Sequence, residues 1–232
     1  MQLNRFIAQS GLCSRRKAEL LVRSGSIVIN GKPIIEPGYR VQSRDAVMYK
    51  GKQLVHEEKT YILLNKPRGY ITTACDDKQR KTVMDLVADV ASDVRIFPVG
   101  RLDYETTGLL LLTNDGDLAQ QLSHPRNEVR KVYRVTLDRA FAPEHYAALR
   151  RGIRLSDGMI AADRLEAKTP YVVDIALHSG RNRIVRRMFE FFGYTVTALE
   201  RVSYGLFTVK GLARGSWRPV AASEIKKLKS VK

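Results

Sequence analysis

The chain predicts an α+β fold with a mixed, largely antiparallel sheet, in two units spanning residues 1–58 and 59–232. Three observations carry this. Strand-like and helix-like segments mix without strict βαβ alternation. A polar stretch without periodicity, "GKQLVHEEKT", interrupts the pattern near residue 58. A length of 232 residues suits one ordinary domain plus a small one.

In the first unit, Leu3, Phe6 and Ile7 have helical spacing. Ser14 is a good N-cap for a second helix, "RRKAELLVRSG", with Ala18, Leu21 and Val22 on one face and Gly25 at its end. "SIVING" alternates and closes in Asn30-Gly31, a strong hairpin signal. "YRVQSRDAVMYKGKQL" reads as further short strands.

In the second unit, "YILLNKPRGYITTA" reads as strand, turn and strand around Pro67 and Gly69, and "TVMDLVADV" as a short helix. "VRIFPVG" is a strand, followed by the loop "RLDYETT" and the buried-strand run "GLLLLT". "NDGDLAQQLSH" turns into a helix and "KVYRVTLD" alternates as a strand. "PEHYAALRRG" is a helix with Pro143 at its start, "YVVDIALHSG" a strand, and "RNRIVRRMFEFFG" a helix with Ile184, Met188 and Phe191 or Phe192 on its apolar face. "YTVTALERVSYG" is a strand, and a closing helix follows Ser223 as N-cap.

Charge narrows the function. Forty Lys and Arg face 24 Asp and Glu, a net charge of +16 that attracts polyanions, nucleic acid above all. The longest apolar run is far short of the ~20 residues that span a bilayer. Cys13 and Cys75 cannot form a disulfide framework, and with no export signal they read as reduced cytosolic thiols. The four histidines show no metal-ligand spacing. The expectation is a cytoplasmic protein without membrane attachment or metal.

Within this basic chain four stretches could carry chemistry. Arg15, Arg16 and Lys17 crowd the first turn of a helix, where the macrodipole disfavours cations. A docked phosphate would relieve that conflict; an ordinary solvated helix start is the alternative. "GRLDYETTG" places Asp103 in a short loop between two strands, bracketed by Gly100 and Gly108. Such a loop either holds a catalytic carboxylate rigidly or is a polar turn whose Asp caps its own backbone. "SGRNRIVRRMFEFFG" concentrates Arg181, Arg183, Arg186 and Arg187, as a basic surface helix or a phosphate grip with one arginine turned to a carboxylate. In "RKVYRV", Lys131, Tyr133 and Val135 share one strand face, so Tyr133 could stack on an extruded base or simply pack across the sheet.

"SRRKAELLVRSGSIVINGK" followed by "GYRVQSRDAV" resembles the S4 (αL-type) RNA-binding domain. "KPRGYITT", "GRLDYETTGLLLLTNDGDLAQQLSHPRNEVRKVYRV" and "SGRNRIVRRMFEFFGYTVTALERVSYG", in that order, resemble the motif set of the RsuA-type ribosomal RNA pseudouridine synthases over essentially the whole chain. That resemblance implies an α+β catalytic domain that detaches uracil from ribose, rotates it and rejoins it through carbon 5, with no cofactor or metal. It implies that Asp103 is the essential carboxylate, acting on the ribose C1′, on the base or on a sugar proton. Arg186 is implied to pair with Asp103 and keep it ionised, and Tyr133 to pack on the flipped base. Arg101 belongs to the same motif, and Arg15, Arg16, Lys17, Arg181, Arg183 and Arg187 are expected to contact RNA. Some relatives carry His-Gln where this chain has Arg183-Ile184, and the "GRNRIVRRM" form is more similar to members acting on large-subunit (23S) rRNA. The expected partner is structured ribosomal RNA, a stem-loop, bound by a monomer. The rival readings are the same reaction on small-subunit rRNA, a glycosidase-type Asp103–Glu105 pair, and an S4-type assembly factor without catalysis.

Overall fold

A computed structural model describes residues 1–230. The chain divides into two compact units, Met1–Thr60 with Ala88–Ile96 and Asn114–Gly116, and Tyr61–Val87 with Phe97–Thr113 and Asp117 onward.

The smaller unit begins with helices α1 (Leu3–Gln9) and α2 (Arg15–Arg23). Ser14 caps α2, its hydroxyl accepting from the Lys17 N–H at 3.2 Å. Leu3, Ile7, Ala18 and Val22 are buried against strands β1 (Ile27–Ile29) and β3 (Val47–Tyr49). With β2 (Lys32–Ile34) and β4 (Lys52–Gln53) these form an antiparallel sheet ordered β2-β1-β3-β4. Asn30 and Gly31 turn the β1–β2 hairpin with φ of 51° and 81°. Asp45 secures that turn, accepting from the Asn30 amide at 2.9 Å and the Tyr39 hydroxyl at 2.9 Å. The helix expected over 82–90 is instead a single 3₁₀ turn, Asp85–Val87, in the larger unit and a one-turn α3 (Ala88–Ala91) in the smaller.

The larger unit is built on a nine-stranded sheet whose main path is β11-β12-β8-β13-β7-β5-β15. The strands are β5 (Tyr61–Lys66), β7 (Thr107–Thr113), β8 (Lys131–Leu137), β11 (Arg164–Thr169), β12 (Val172–Leu177), β13 (Val196–Tyr204) and β15 (Trp217–Pro219). Short strands β6 (Phe97–Pro98) and β14 (Phe207–Thr208) pair with β7 and β13. A separate hairpin joins β9 (Ile153–Leu155) to β10 (Gly158–Ile160). Helices α4 (Gly116–Ser123), α5 (Pro143–Arg151), α6 (Ile184–Glu190) and α7 (Ala222–Ser230) complete the chain.

All ladders are antiparallel except β7 with β13, so the expected mixed, largely antiparallel sheet is what forms. Leu109 to Leu112 are each fully buried. That explains an unbroken leucine run, because a central strand covered on both faces has no solvent side to alternate with. In α6 the buried side chains are Ile184, Val185, Met188 and Phe189; of the two phenylalanines expected to continue the apolar face, Phe192 packs against the core and Phe191 is 53% exposed. The chain's last described helix starts at Ala222 rather than after Ser223; the Glu224 carboxylate accepts from the Ala221 N–H at 3.0 Å and pairs with Arg218.

One glycine sets the central crossing. Gly108 lies opposite Arg201 in the parallel β7–β13 pair, with φ of 104°. A Cβ there would stand 2.3 Å from the Arg201 carbonyl oxygen and 2.7 Å from its nitrogen. Both partners are backbone, so neither can rotate away. Gly108→Ala is expected to destabilise the fold by more than about 2 kcal/mol, read as a lowered midpoint in urea unfolding.

Candidate active site

A cavity of about 270 Å³ opens in the larger unit. Its floor is one face of β8 and β13, where Lys131, Tyr133, Leu199, Arg201 and Tyr204 lie side by side; Tyr133 is directly opposite Arg201 in the ladder. Loop 100–106 forms one rim and the segment 179–185 the other.

The first rim carries Asp103. Its carboxylate is exposed and joined to no hydrogen-bond or ion-pair partner among the described residues. The backbone beneath is held hard. Leu102 is buried, and the Thr72 hydroxyl donates to the Leu102 carbonyl at 2.7 Å while accepting from its N–H at 3.3 Å. Lys66, fully buried at the end of β5, points its Nζ at four carbonyls: Thr106 at 2.9 Å, Pro67 at 3.0 Å, Asp103 at 3.1 Å and Tyr104 at 3.3 Å. Gly69 N–H also donates to the Tyr104 carbonyl at 3.1 Å. An ammonium has three N–H groups and no acceptor, so it suits a ring of carbonyls. Burial pulls its pKa down to about 8, opposed by the nearby carboxylates of Asp103 and Glu105. Charging this lysine therefore costs more in the folded state than in the unfolded one, and that cost fades as pH rises from about 8 toward its ordinary value of 10.5. Glu105 is paired with Arg68, both exposed. Engaged there, it does not form the catalytic couple with Asp103 that a glycosidase would need.

The second rim is held by its own carboxylates. Asp157 accepts from Arg187 at 2.7 Å and lies 3.5 Å from Arg181, whose other nitrogen donates to the Met159 carbonyl at 3.0 Å. Arg183, in the left-handed region at the start of α6, lies 3.6 Å from Glu190.

Of the residues singled out from sequence, Arg101, Asp103, Tyr133, Arg181 and Arg183 line this one cavity. Arg186 and Arg187 do not. The expected Arg186–Asp103 ion pair is not formed: Arg186 instead donates to the Val196 carbonyl at 2.8 Å. Its guanidinium is half-buried on α6, anchored to the first residue of β13, while Asp103 sits on an exposed rim. Burial lowers the Arg186 pKa, Arg183 adds to that, and Asp103 acts on it only through space, in the opposite direction. Arg15, Arg16 and Lys17 belong to the smaller unit, where they are exposed on the first turn of α2 and pair with no carboxylate among the described residues.

Three contributors escape a reading of sequence alone. Lys66 closes the apolar run "YILLNK", where a lysine normally marks a strand's exit into water; its only signal is sharing strand parity with the buried Ile62 and Leu64. Arg201 is 2% exposed, its Nε donating to the Leu109 carbonyl at 2.8 Å and its guanidinium 4.7 Å from the Tyr204 ring centre. Its Nη2 is buried without a hydrogen-bond partner. Lys131 is nearly as buried, donating to the His178 carbonyl at 3.0 Å, with burial and then Arg201 pulling its pKa down to about 8.

A rigid loop presenting one free carboxylate over an aromatic and cationic floor is suited to holding a planar, partly anionic ligand beside a nucleophile or base. Comparison with known proteins identifies the family. Residues 60–191 match the RNA pseudouridylate synthase family and residues 1–47 match the S4 domain. The chain belongs to the RNA pseudouridylate synthases, enzymes that isomerise uridine, and carries an N-terminal S4 domain. It is 41% identical to the ribosomal large subunit pseudouridine synthase B of Bacillus subtilis, over 99% of this chain and 96% of that one. It is 35% identical to the dual-specificity RNA pseudouridine synthase RluF of Salmonella typhi, over 97% of this chain and 77% of that one. A crystal structure of a pseudouridylate synthase superposes with a TM-score of 0.71 at 31% identity, covering 98% of this chain and 99% of that one.

Lys66→Met removes the charged donor from four carbonyls while keeping most of the apolar stem. Charge-assisted hydrogen bonds of this kind contribute about 1.5–3 kcal/mol. The variant is expected to remain folded, with kcat lowered at least tenfold and KM changed far less, in steady-state turnover of an RNA substrate.

Proposed function

We infer that this chain converts a specific uridine of large-subunit ribosomal RNA to pseudouridine, with Asp103 as the catalytic carboxylate. The observation that carries the assignment to Asp103 is its free, exposed carboxylate on a backbone-clamped loop at the mouth of a cavity floored by Tyr133. Full-length similarity to a large-subunit enzyme supports the choice of rRNA.

A base within folded RNA must leave its stack before its glycosidic bond can be reached, at a cost of a few kcal/mol. Cations on both units offset that cost by holding the phosphate backbone: Arg15, Arg16 and Lys17 on residues 1–58, the S4 domain, and Arg101, Arg181, Arg183 and Arg187 on residues 59–232, the catalytic domain. The flipped uracil stacks on Tyr133. Asp103 meets the C1′–N1 bond or the base, and Arg186 stands beside the site on α6, bonded to the Val196 carbonyl. The protein acts as a cytoplasmic monomer on a structured stem-loop.

Asp103→Asn is expected to abolish pseudouridine formation and leave RNA affinity nearly intact; retained turnover would remove Asp103 from its role. Deleting residues 1–58 is expected to weaken rRNA binding and flatten its dependence on salt, measured by titration at several ionic strengths. Mapping pseudouridines in rRNA from cells lacking the protein, by carbodiimide-dependent reverse-transcription stops, identifies the target. One lost site in the large-subunit rRNA is the expected result; no lost site would favour an assembly factor without catalysis.

A further inference from the structure

A second cavity, of about 680 Å³, adjoins the active site in the same unit. The two share a wall made of Ser123, Lys131, Ser179, Gly180 and Arg181. Its volume falls in the range of small-molecule pockets, roughly 300–1,000 Å³. Its lining mixes an apolar platform with polar edges. Met159 is 55% exposed, a large apolar side chain left facing solvent, with Ile160 and Ala161 beside it. His178 and Asp163 also line it, with the histidine ring oriented by a 2.8 Å contact between its Nδ1 and the carboxylate. Flexible thioethers and imidazoles are good partners for the flat face and polar rim of a nucleobase.

The shared wall is cationic in an unusual way. Lys131 is nine-tenths buried, and its described contacts are the His178 carbonyl and, at 5.8 Å, the Tyr204 ring. It forms no ion pair with a carboxylate among the described residues. The neighbouring cation, Arg201, is more buried still and likewise has no carboxylate partner among them. Two buried like charges without a counter-ion oppose each other, and burial first, then Arg201, lowers the Lys131 pKa. Such an arrangement is unfavourable in the empty protein and becomes favourable when an anion arrives between the cavities. Arg181 on the same wall braces it, bonded to the Met159 carbonyl and near Asp157.

We propose that the second cavity receives the base of the nucleotide adjacent to the isomerised uridine, and that Lys131 binds the phosphate linking the two nucleotides. The inference rests on the reading that a flipped uridine occupies the first cavity. It gives the enzyme a means to select its target by the neighbouring base, through an edge and a platform that Asp103 and Tyr133 do not supply.

The test uses the full chain and an rRNA stem-loop on which it forms pseudouridine, prepared intact and with an abasic residue at either neighbour of the target. The wild-type protein is expected to bind one of the two abasic RNAs about tenfold more weakly than the intact RNA. Ala161→Phe, which fills the second cavity, is expected to bind intact RNA about tenfold more weakly and to lose nothing further on that abasic RNA. Met159→Ala, which removes the platform without adding bulk, is expected to show the same loss of sensitivity. Lys131→Met is expected to raise Kd about tenfold and to reduce the salt slope by about one. Equal binding of intact and both abasic RNAs by the wild type, or losses that simply add in the combined cases, would overturn the base pocket. An unchanged salt slope in Lys131→Met would overturn the phosphate contact. Failure of the underlying reading appears separately, as absence of pseudouridine when the wild-type protein is incubated with intact rRNA.

Discussion

The buried ammonium of Lys66 is the contact on which the active site depends. It gathers the carbonyls of Pro67, Asp103, Tyr104 and Thr106 around one point, so a polar loop is fastened to the end of a central strand. Without a buried donor, those carbonyls would have to face water, and the loop would lie further from the sheet. With it, the Asp103 backbone is held while its side chain remains free. Burying a charge is costly, and here the cost is offset by four acceptors, three of which belong to the loop being held. Gly108, two residues beyond the clamp, allows β13 to approach so closely that Arg201 reaches the same site.

The charge of +16 is therefore not one undifferentiated field. Part of it is committed to ion pairs within the chain: Arg68 to Glu105, Arg134 to Asp174, Arg181 and Arg187 to Asp157, Arg183 to Glu190. The pairs with Asp157 and Glu190 brace one rim and Arg68–Glu105 lies on the loop of the other, while Arg134–Asp174 ties two strands of the sheet; largely solvent-exposed, they contribute little to stability individually. Other cations lack a carboxylate partner among the described residues: Arg15, Arg16 and Lys17 on α2, Arg101 on the catalytic rim, and Lys131 with Arg201 at the floor. The first four are exposed and suit long-range attraction of a polyanion. The last two are buried, where a charge acts more strongly on a ligand that enters the site. A basic protein can thus separate capture of its substrate from recognition at the reacting nucleotide.

The amino-acid sequence by itself determined the α2 cap at Ser14, the Asn30-Gly31 hairpin, the buried leucine strand and the largely antiparallel sheet; it did not show that Ala88–Ile96 and Asn114–Gly116 cluster with the first sixty residues. Those features follow from local physics, namely periodicity, capping and turn chemistry, which neighbours in the chain are sufficient to express. It also marked Asp103, Tyr133 and three of the rim arginines, because their motifs are dense and ordered. The tertiary structure alone decided which groups hold them. Lys66 looks like a strand end, Arg201 like an ordinary strand arginine and Lys131 like a solvated neighbour of Tyr133; each becomes significant only when distant segments close over it. The same dependence overturned the expected contact between Arg186 and Asp103. A side chain long enough to reach several acceptors chooses among them by where the helix and the rim come to rest, and the Val196 carbonyl was the nearer partner.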